Sequence, residues 1–514
     1  MPRRFCLLLL LPFLFVVSPA LGEDSFSAVS DKFTEIIGRD LRAKERIELV
    51  DKVAAFDNRD AAKLLLESLG ELSKRLDGFL EELDEVESQR EVLNSESSDK
   101  KQIKETERLR AKRDRLDELV IAESEVVDRV GDALVTFSSE ASRGSVVTFV
   151  TRGTTWRQRG FAARAAAGYA GEVGRKAALK ALKDKEARVV LLSLAGLTNR
   201  RDETTVADVA KCLEHEVWVV QVSAANALAE IGSTKAVRPM IEALGKTSGR
   251  VQDDINKALK RLTGQKFQPD YESWKRWYEE NRVKLEGGNA KPLGRGRKKG
   301  EGDDDSSYYG IETRSKHIVY LIDISGSMNL PIGGKEAVTP EPGQEDRPTG
   351  PKVEIAKREL KTAIRSLPED AQFNIITFNE VVAVWKKEMV PAKQKNKNEA
   401  FLYINDLKAS GSTYTFGALK EAFRFAGLGA ADPNYDSGVD TIFLLSDGMP
   451  TDQSFPTSKP MEPEKILRAV RTWNKLSKVI IHAIAIDPKT QGSSFIRFMR
   501  DLAKQNGGQY TERG

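Results

Sequence analysis

Two stretches near the carboxyl end, TIFLLS (441–446) and VIIHAIAI (479–486), are apolar almost without interruption. A strand with one wet face alternates apolar and polar side chains, so runs like these must be covered on both faces. A parallel sheet between two helix layers provides that cover. Period and punctuation fill in the remainder: strand 317–324, helix 353–367, strand 372–378, short strand 381–386, helices 397–407 and 415–428, strand 440–446, helix 463–478, strand 479–486, helix 493–506 and a short last strand 508–511. The predicted fold of residues 316–514 is an α/β doubly wound domain.

In such sheets ligands bind beyond the carboxyl ends of the strands. The first strand ends in DISGS, which sets Asp323, Ser325 and Ser327 within five positions; SGSTYTFGAL places Thr413 at the start of a helix; FLLSDG delivers Asp447 from another strand. Core packing has no use for these small oxygen-bearing side chains. Singly, each is also what ends a strand as a turn or helix cap. Together they are hard donors suited to Mg²⁺, which demands near-octahedral geometry and keeps water.

The elements D-x-S-G-S, a threonine five positions before Ala418-Leu419, and S-D-G, in this order and context, resemble the metal-ion-dependent adhesion site of von Willebrand factor type A (VWA) domains. The resemblance covers roughly 316–514 and implies a Rossmann-like VWA fold. It also implies a metal set of Asp323, Ser325, Ser327, Thr413 and Asp447. In the family the serine hydroxyls ligate directly, and the threonine and aspartates act directly or through water. The implied ion is Mg²⁺, with Mn²⁺ or Ca²⁺ as substitutes, and its open position takes an acidic side chain from a protein ligand. Between the metal loop and the next helix lies NLPIGGKEAVTPEPGQEDRPTG (329–350), an insertion of about 20 residues that reads either as a disordered excursion or as a ligand-selecting rim. In the second case Glu336, Glu341 or Glu345 is a candidate internal occupant of the open position.

Upstream the chain is helical. Leu65, Leu69, Leu72, Leu76, Phe79, Leu83 and Val86 follow steps of four and three, a heptad seam that breaks at 93–100 and resumes through Leu109, Leu116, Leu119, Val126, Val130 and Leu134. An antiparallel coiled-coil hairpin over 65–135 explains both arms; an ordinary pair of bundled amphipathic helices is the alternative. From about 150 the sequence repeats, with Leu182, Leu213 and Leu244 spaced by 31 and the helices ARVVLLSLAGL and VWVVQVSAANAL matching at an offset of 30. A fixed period in helical sequence means stacked helix pairs, and 150–282 resembles a HEAT-type solenoid. Residues 23–64 share its look, so the hairpin reads as an insertion in one array. Trp274 and Trp277, one turn apart, read as its aromatic cap. Residues 283–315 carry glycines, a basic run and an acidic run without periodicity, which predicts a flexible linker.

At the amino end Arg3 and Arg4 precede the apolar run Phe5 to Val17 and a small-residue pattern ending at Gly22. Residues 1–22 read as a secretory signal peptide, because 13 residues fall short of the roughly 20 a membrane-spanning helix needs. The expected location is outside the cytoplasm: periplasmic, extracellular or cell-surface. Loss of Arg3 and Arg4 takes the net charge from +4 to +2, which leaves no basic excess for a nucleic-acid binder. One cysteine would remain, Cys212, so no internal disulfide can form. The three histidines, His215, His317 and His482, match no zinc or Ser/His/Asp spacing, and GKT at 245–247 lacks the first glycine of a phosphate loop. No enzyme is visible. The expectation is an exported, monomeric scaffold with no membrane span, whose VWA domain and helical repeats are two interaction surfaces; the alternative is a non-catalytic accessory subunit of an ATPase or enzyme complex.

Overall fold

The computed structural model describes residues 25–39, 43–93, 100–286, 306–333, 350–426, 438–452, 458–475 and 478–513. The signal peptide, residues 287–305 of the linker and residues 334–349 of the insertion, with Glu336, Glu341 and Glu345, lie outside the described residues.

The amino-terminal part comprises α1 (Phe26–Ile37), α2 (Ala43–Ala54), α3 (Arg59–Leu93), α4 (Lys100–Thr136), α5 (Glu140–Arg152), α6 (Trp156–Gly168), α7 (Glu172–Ala181), α8 (Ala187–Arg200), α9 (Val206–Lys211), α10 (Trp218–Ile231), α11 (Val237–Lys246), α12 (Gly249–Thr263) and α13 (Tyr271–Glu286). Helices α3 and α4 pair within the chain, and every residue of the α3 seam is buried or half-buried. The pair is not a separate hairpin throughout. Leu65 to Leu76 share one core with α1, α2, α5 and α6, and only Leu83, Val86, Leu109 and Leu116 form an isolated outer seam. The lower half of the heptad pattern therefore serves the helical body itself.

In the repeats, Leu182, Leu213 and Leu244 are all buried. The helix-to-helix offset is 31 and not 30: α8 and α10 end at Arg201 and Gly232, both in the left-handed conformation with φ of 53° and 79°. At this offset Leu194 and Leu197 correspond to the buried Ala225 and Leu228, whereas an offset of 30 pairs the exposed Ala195 with Ala225. Trp274 and Trp277 close the array edge to face, and the Trp274 indole donates to Asn256 Oδ1 at 2.8 Å.

The carboxyl-terminal part contains β1 (Ser306–Tyr308), β2 (Ile311–Thr313), β3 (His317–Asp323), α14 (Lys352–Ser366), β4 (Gln372–Phe378), β5 (Val382–Val384), β6 (Val390–Pro391), α15 (Gln394–Asp406), α16 (Thr415–Ala426), β7 (Thr441–Ser446), α17 (Pro463–Trp473), β8 (Ile480–Ile486), α18 (Ser493–Gln505) and β9 (Tyr510–Arg513). The sheet runs β5-β4-β3-β7-β8-β9, with β6 also on β4; β3, β4, β7, β8 and β9 are parallel, and β5 and β6 run antiparallel at the edge. Alternate residues of β3 feed two cores. Val319 and Leu321 pack with α16, α17 and α18, and Ile318, Tyr320 and Ile322 with α14 and α15.

Three local differences from the sequence reading have physical causes. Helix α17 stops at Trp473 because Asn474 folds back, its side chain bonding both the N–H and the C=O of Val479. The last strand starts at Tyr510, after Gly508 passes so near Ile481 that a Cβ would lie 1.9 Å from its carbonyl oxygen. Residues 306–313, expected as linker, form a β-hairpin turning at Tyr309 and Gly310, with φ of 53° and 76°, and Tyr308, Tyr309 and Ile311 are buried against the sheet domain. Two consecutive positive φ values are the mark of a type I′ hairpin turn.

The two parts dock directly. One α4 face meets the sheet domain: Ile121 enters its core, Asp117 pairs with Lys420 at 2.8 Å, Glu118 with Lys465 at 3.3 Å and Glu125 with Arg468 at 2.7 Å, and Asp128 pairs with Lys475. At the amino ends of the strands, Arg250 of α12 donates to Asp440 O at 2.5 Å and Lys478 O at 2.6 Å. The sheet domain is thus seated on its neighbour at two places, not merely tethered by 283–315. The Asp117–Lys420 pair is buried, and breaking such a pair leaves an uncompensated charge. Lys420→Glu is expected to destabilise the chain by about 3 kcal/mol or more in denaturant unfolding, and Asp117→Lys/Lys420→Glu to recover most of that.

His482 is stacked on Phe443, accepts from Gln509 N–H through Nδ1, and is held by burial at about 4, below its usual 6.5. The folded ring stays neutral while the unfolded chain takes up a proton. Its contribution to stability is complete above about 6.5 and falls as the pH drops toward 4, by about 1.4 kcal/mol per pH unit. Comparison of chemical unfolding at pH 6 and pH 5 should show this slope reduced in His482→Phe.

Candidate metal centre

The site begins with chain geometry. β3 and β7 are adjacent and parallel, so the loops at their carboxyl ends emerge side by side. The first carries Asp323 and then Ser325 and Ser327 on a short 3-10 turn (Gly326–Asn329). The second carries Ser446 and Asp447. A third loop is clamped to the first by backbone bonds from Gly326 N to Gly411 O at 2.9 Å and from Ser410 N to Ile324 O at 2.8 Å, and it leads through Thr413 into α16.

Four of the five residues singled out from sequence form one hydrogen-bonded set. Asp323 Oδ1 accepts from Ser325 N at 2.8 Å, the Ser325 and Ser327 hydroxyls are 3.1 Å apart, and Ser327 Oγ donates to Asp447 Oδ1 at 2.7 Å. Thr413 is alongside: its backbone is paired with Thr451, and a Cβ on Gly448, the residue after Asp447, would lie 3.6 Å from its Oγ1. Asp323, Ser325, Thr413 and Asp447 are all buried. The set is a recessed cluster at the floor of the face.

Its electrostatics suit a cation. Burial, and then the neighbouring Asp447 carboxylate, raise Asp323 to about 7, against hydrogen bonds from Ser446 and Ser325 that favour the ionised form. Desolvated like charges of this kind are relieved by a positive ion between them. The donors are hydroxyl and carboxylate oxygens, the hard set that Mg²⁺, Mn²⁺ and Ca²⁺ accept. Among the described residues no group of three or more His, Cys, Asp or Glu side chains forms a metal cluster, and a hydroxyl-rich site is of a different kind.

Sequence reading passed over four residues here. Ser446 Oγ donates to the second Asp323 oxygen at 2.5 Å. Lys352, the first residue of α14, has its Nζ 2.8 Å from Asp447 Oδ2 and 3.6 Å from Asp487 Oδ2. Asp487 closes β8 in the left-handed conformation, with φ of 48°. Thr451 holds the Thr413 backbone through its hydroxyl. Asp487 carried a legible signal, an acidic residue ending an apolar strand on the same side of the sheet as Asp323. Lys352 carried none, since it follows the insertion and only the fold brings it back.

Gly411 is the tightest point of the third loop. Its φ is +74°, and a Cβ there would fall 1.4 Å from Glu380 Oε2, which accepts from Ser412 N. Gly411→Ala is therefore expected to destabilise the protein by about 1–3 kcal/mol, read as a lower Tm, with the loss concentrated in hydrogen-exchange protection of 409–413.

Comparison with known proteins agrees with this architecture. Residues 346–511 match the von Willebrand factor type A domain, a span that includes Thr413 and Asp447 but starts after Ser327, and residues 175–260 match HEAT repeats. The chain is similar to inter-alpha-trypsin inhibitor heavy chain H2 of Sus scrofa, 30% identical over 148 residues, which is 28% of this chain and 13% of that protein. It is also similar to von Willebrand factor A domain-containing protein 3B of Homo sapiens, 25% identical over 160 residues, 31% of this chain and 10% of that one. Similarity to these relatives thus spans only a small part of their length. Among solved structures it is similar to a von Willebrand factor type A protein from Catenulispora acidiphila, with 20% identity, 40% of each chain covered and a TM-score of 0.28. The chain carries HEAT repeats within its helical part and, after them, a member of the von Willebrand factor type A domain family.

Proposed function

We propose that this protein is a non-catalytic binding scaffold whose VWA domain holds a divalent cation, Mg²⁺ by preference, and uses it to capture an acidic side chain of a protein ligand. Ser325, Ser327 and Thr413 supply hydroxyl ligands, and Asp323 and Asp447 supply charge and orient water. The observation that carries this reading is the hydrogen-bonded chain Asp323–Ser325–Ser327–Asp447 at the carboxyl ends of two adjacent parallel strands. A cluster of desolvated oxygens there has no packing role and a clear role as a cation cradle. VWA domains mediate protein–protein interaction, which fits capture of a protein and not of a small substrate. Helical repeats offer a second surface of the same kind. No helix among the described residues is long and apolar enough to cross a membrane, and we place the protein outside the cytoplasm on the strength of residues 1–22.

Titration calorimetry on the full chain tests the metal. Wild type should give a saturable Mg²⁺ heat that Asp323→Asn and Ser325→Ala remove while near-UV circular dichroism stays unchanged; Asp323→Asn binding Mg²⁺ as tightly as wild type would sink the assignment. Capture of protein ligands in Mg²⁺ and again in EDTA tests the second half, with retention expected only in the first.

A further inference from the structure

Lys352 is an odd residue to find at the first position of a helix. The amino end of α14 is the positive end of its dipole, where a cation is disfavoured, and this ammonium is also taken out of water, with its side chain only 3% exposed. Helix stability does not explain it. Asp447 does: one carboxylate oxygen accepts from Ser327 and the other faces Lys352 Nζ at 2.8 Å, with Asp487 behind the ammonium at 3.6 Å. The backbone fixes the position too, since Lys352 N donates to Leu330 O at 3.0 Å, tying the helix start to the end of the metal loop.

We infer that Lys352 is a built-in counter-charge of the metal site, which weakens the hold on the cation and strengthens the hold of the cation on a partner's carboxylate. The inference rests on the metal reading proposed above. In the metal-loaded cluster, where the cation keeps the carboxylates ionised, Asp323, Asp447 and Asp487 bring three negative charges, Lys352 one positive charge and the cation two. With Lys352 the cluster is neutral, and an incoming carboxylate meets an electrophilic ion without net repulsion. Without it the cluster stays negative when loaded, so the metal is held more tightly and the carboxylate is repelled. Lys352 also holds the Asp447 oxygen that it faces, so this carboxylate presents one oxygen to Ser327 and does not close on the ion with both. It is a positioning residue with an electrostatic role, and Asp487 opposes its charge.

Opposed substitutions read this directly in the full chain. Mg²⁺ alone is titrated by calorimetry into wild type, Lys352→Met and Asp487→Asn, and acetate is then titrated into each Mg²⁺-loaded protein by NMR chemical shift. Asn keeps the left-handed backbone of position 487 accessible. Lys352→Met is expected to bind Mg²⁺ about tenfold more tightly and acetate about tenfold more weakly, because one unit charge a few ångströms away in a buried site changes each interaction by at least that much. Asp487→Asn is expected to shift both in the opposite direction. Lys352→Met with an unchanged or weaker Mg²⁺ affinity and a wild-type Tm would overturn the inference, as would tighter Mg²⁺ binding by Asp487→Asn. If Lys352→Met does not fold, the sign of the Asp487→Asn shift decides. Wild type that binds no Mg²⁺ at all overturns the metal reading itself, and is told apart because the failure then precedes any substitution.

Discussion

Helix α4 buries side chains on more than one of its long faces, and one of the two contacts between the parts of the molecule runs through it. Toward α3 and α6 it contributes Val126, Val130 and Leu134 to the core of the helical body, and Gly131 lets the Phe161 ring come so close that a Cβ would sit 2.2 Å from it. Toward the sheet domain it inserts Ile121 between flanking ion pairs. A third contact joins it to α2, where Glu123 and Arg46 form a fully buried pair at 2.6 Å. A helix committed on so many sides cannot rotate or slide without exposing apolar surface or stranding a charge. Buried ion pairs add little net stability compared with apolar packing, but they punish the wrong register heavily. The joint therefore specifies an orientation more than it adds strength.

Among the described residues, that orientation keeps the helical part away from the candidate metal face. Arg250 occupies the amino ends of β7 and β8, and α4 covers the flank formed by α16 and α17, whereas Asp323 and Asp447 lie at the opposite, carboxyl ends of their strands. The helical part thus supports the sheet domain from below and from one side. Helix α16 belongs to both regions: it starts two residues after Thr413 and carries Lys420, which is paired with α4. The loop of Gly411 and Thr413 is accordingly anchored at one end to the loop of Asp323 and at the other to a helix held by the neighbouring part.

Within the site, polarity is concentrated where a sheet would otherwise be dry. Asp323 and Asp447 are completely buried, and each has both carboxylate oxygens engaged by hydroxyl, backbone or ammonium donors. Satisfaction on this scale makes burial of two acidic groups tolerable and fixes their rotamers in advance. Preorganisation matters for an ion such as Mg²⁺, whose short bonds and octahedral demand leave little room for adjustment.

Sequence alone determined most of the elements and the oxygen-rich character of the candidate site. The apolar runs of β7 and β8 could only be two-sided strands, the seam from Leu65 to Val86 could only be a helix edge, and DISGS, Thr413 and SDG announced an oxygen-rich pocket, because periodicity and residue type are local properties. Tertiary structure decided what local pattern leaves undetermined. One seam belongs to two cores, since a heptad repeat reports an apolar face and not what covers it. The helices keep the 31-residue spacing of Leu182, Leu213 and Leu244, as the left-handed caps at Arg201 and Gly232 mark, where alignment of the helices by residue type slipped by one. The stretch 306–313 folds because Tyr308, Tyr309 and Ile311 find a surface made by residues far along the chain. Lys352 meets Asp447 across 95 positions of sequence, and a charge pair formed at that range is a property of the fold.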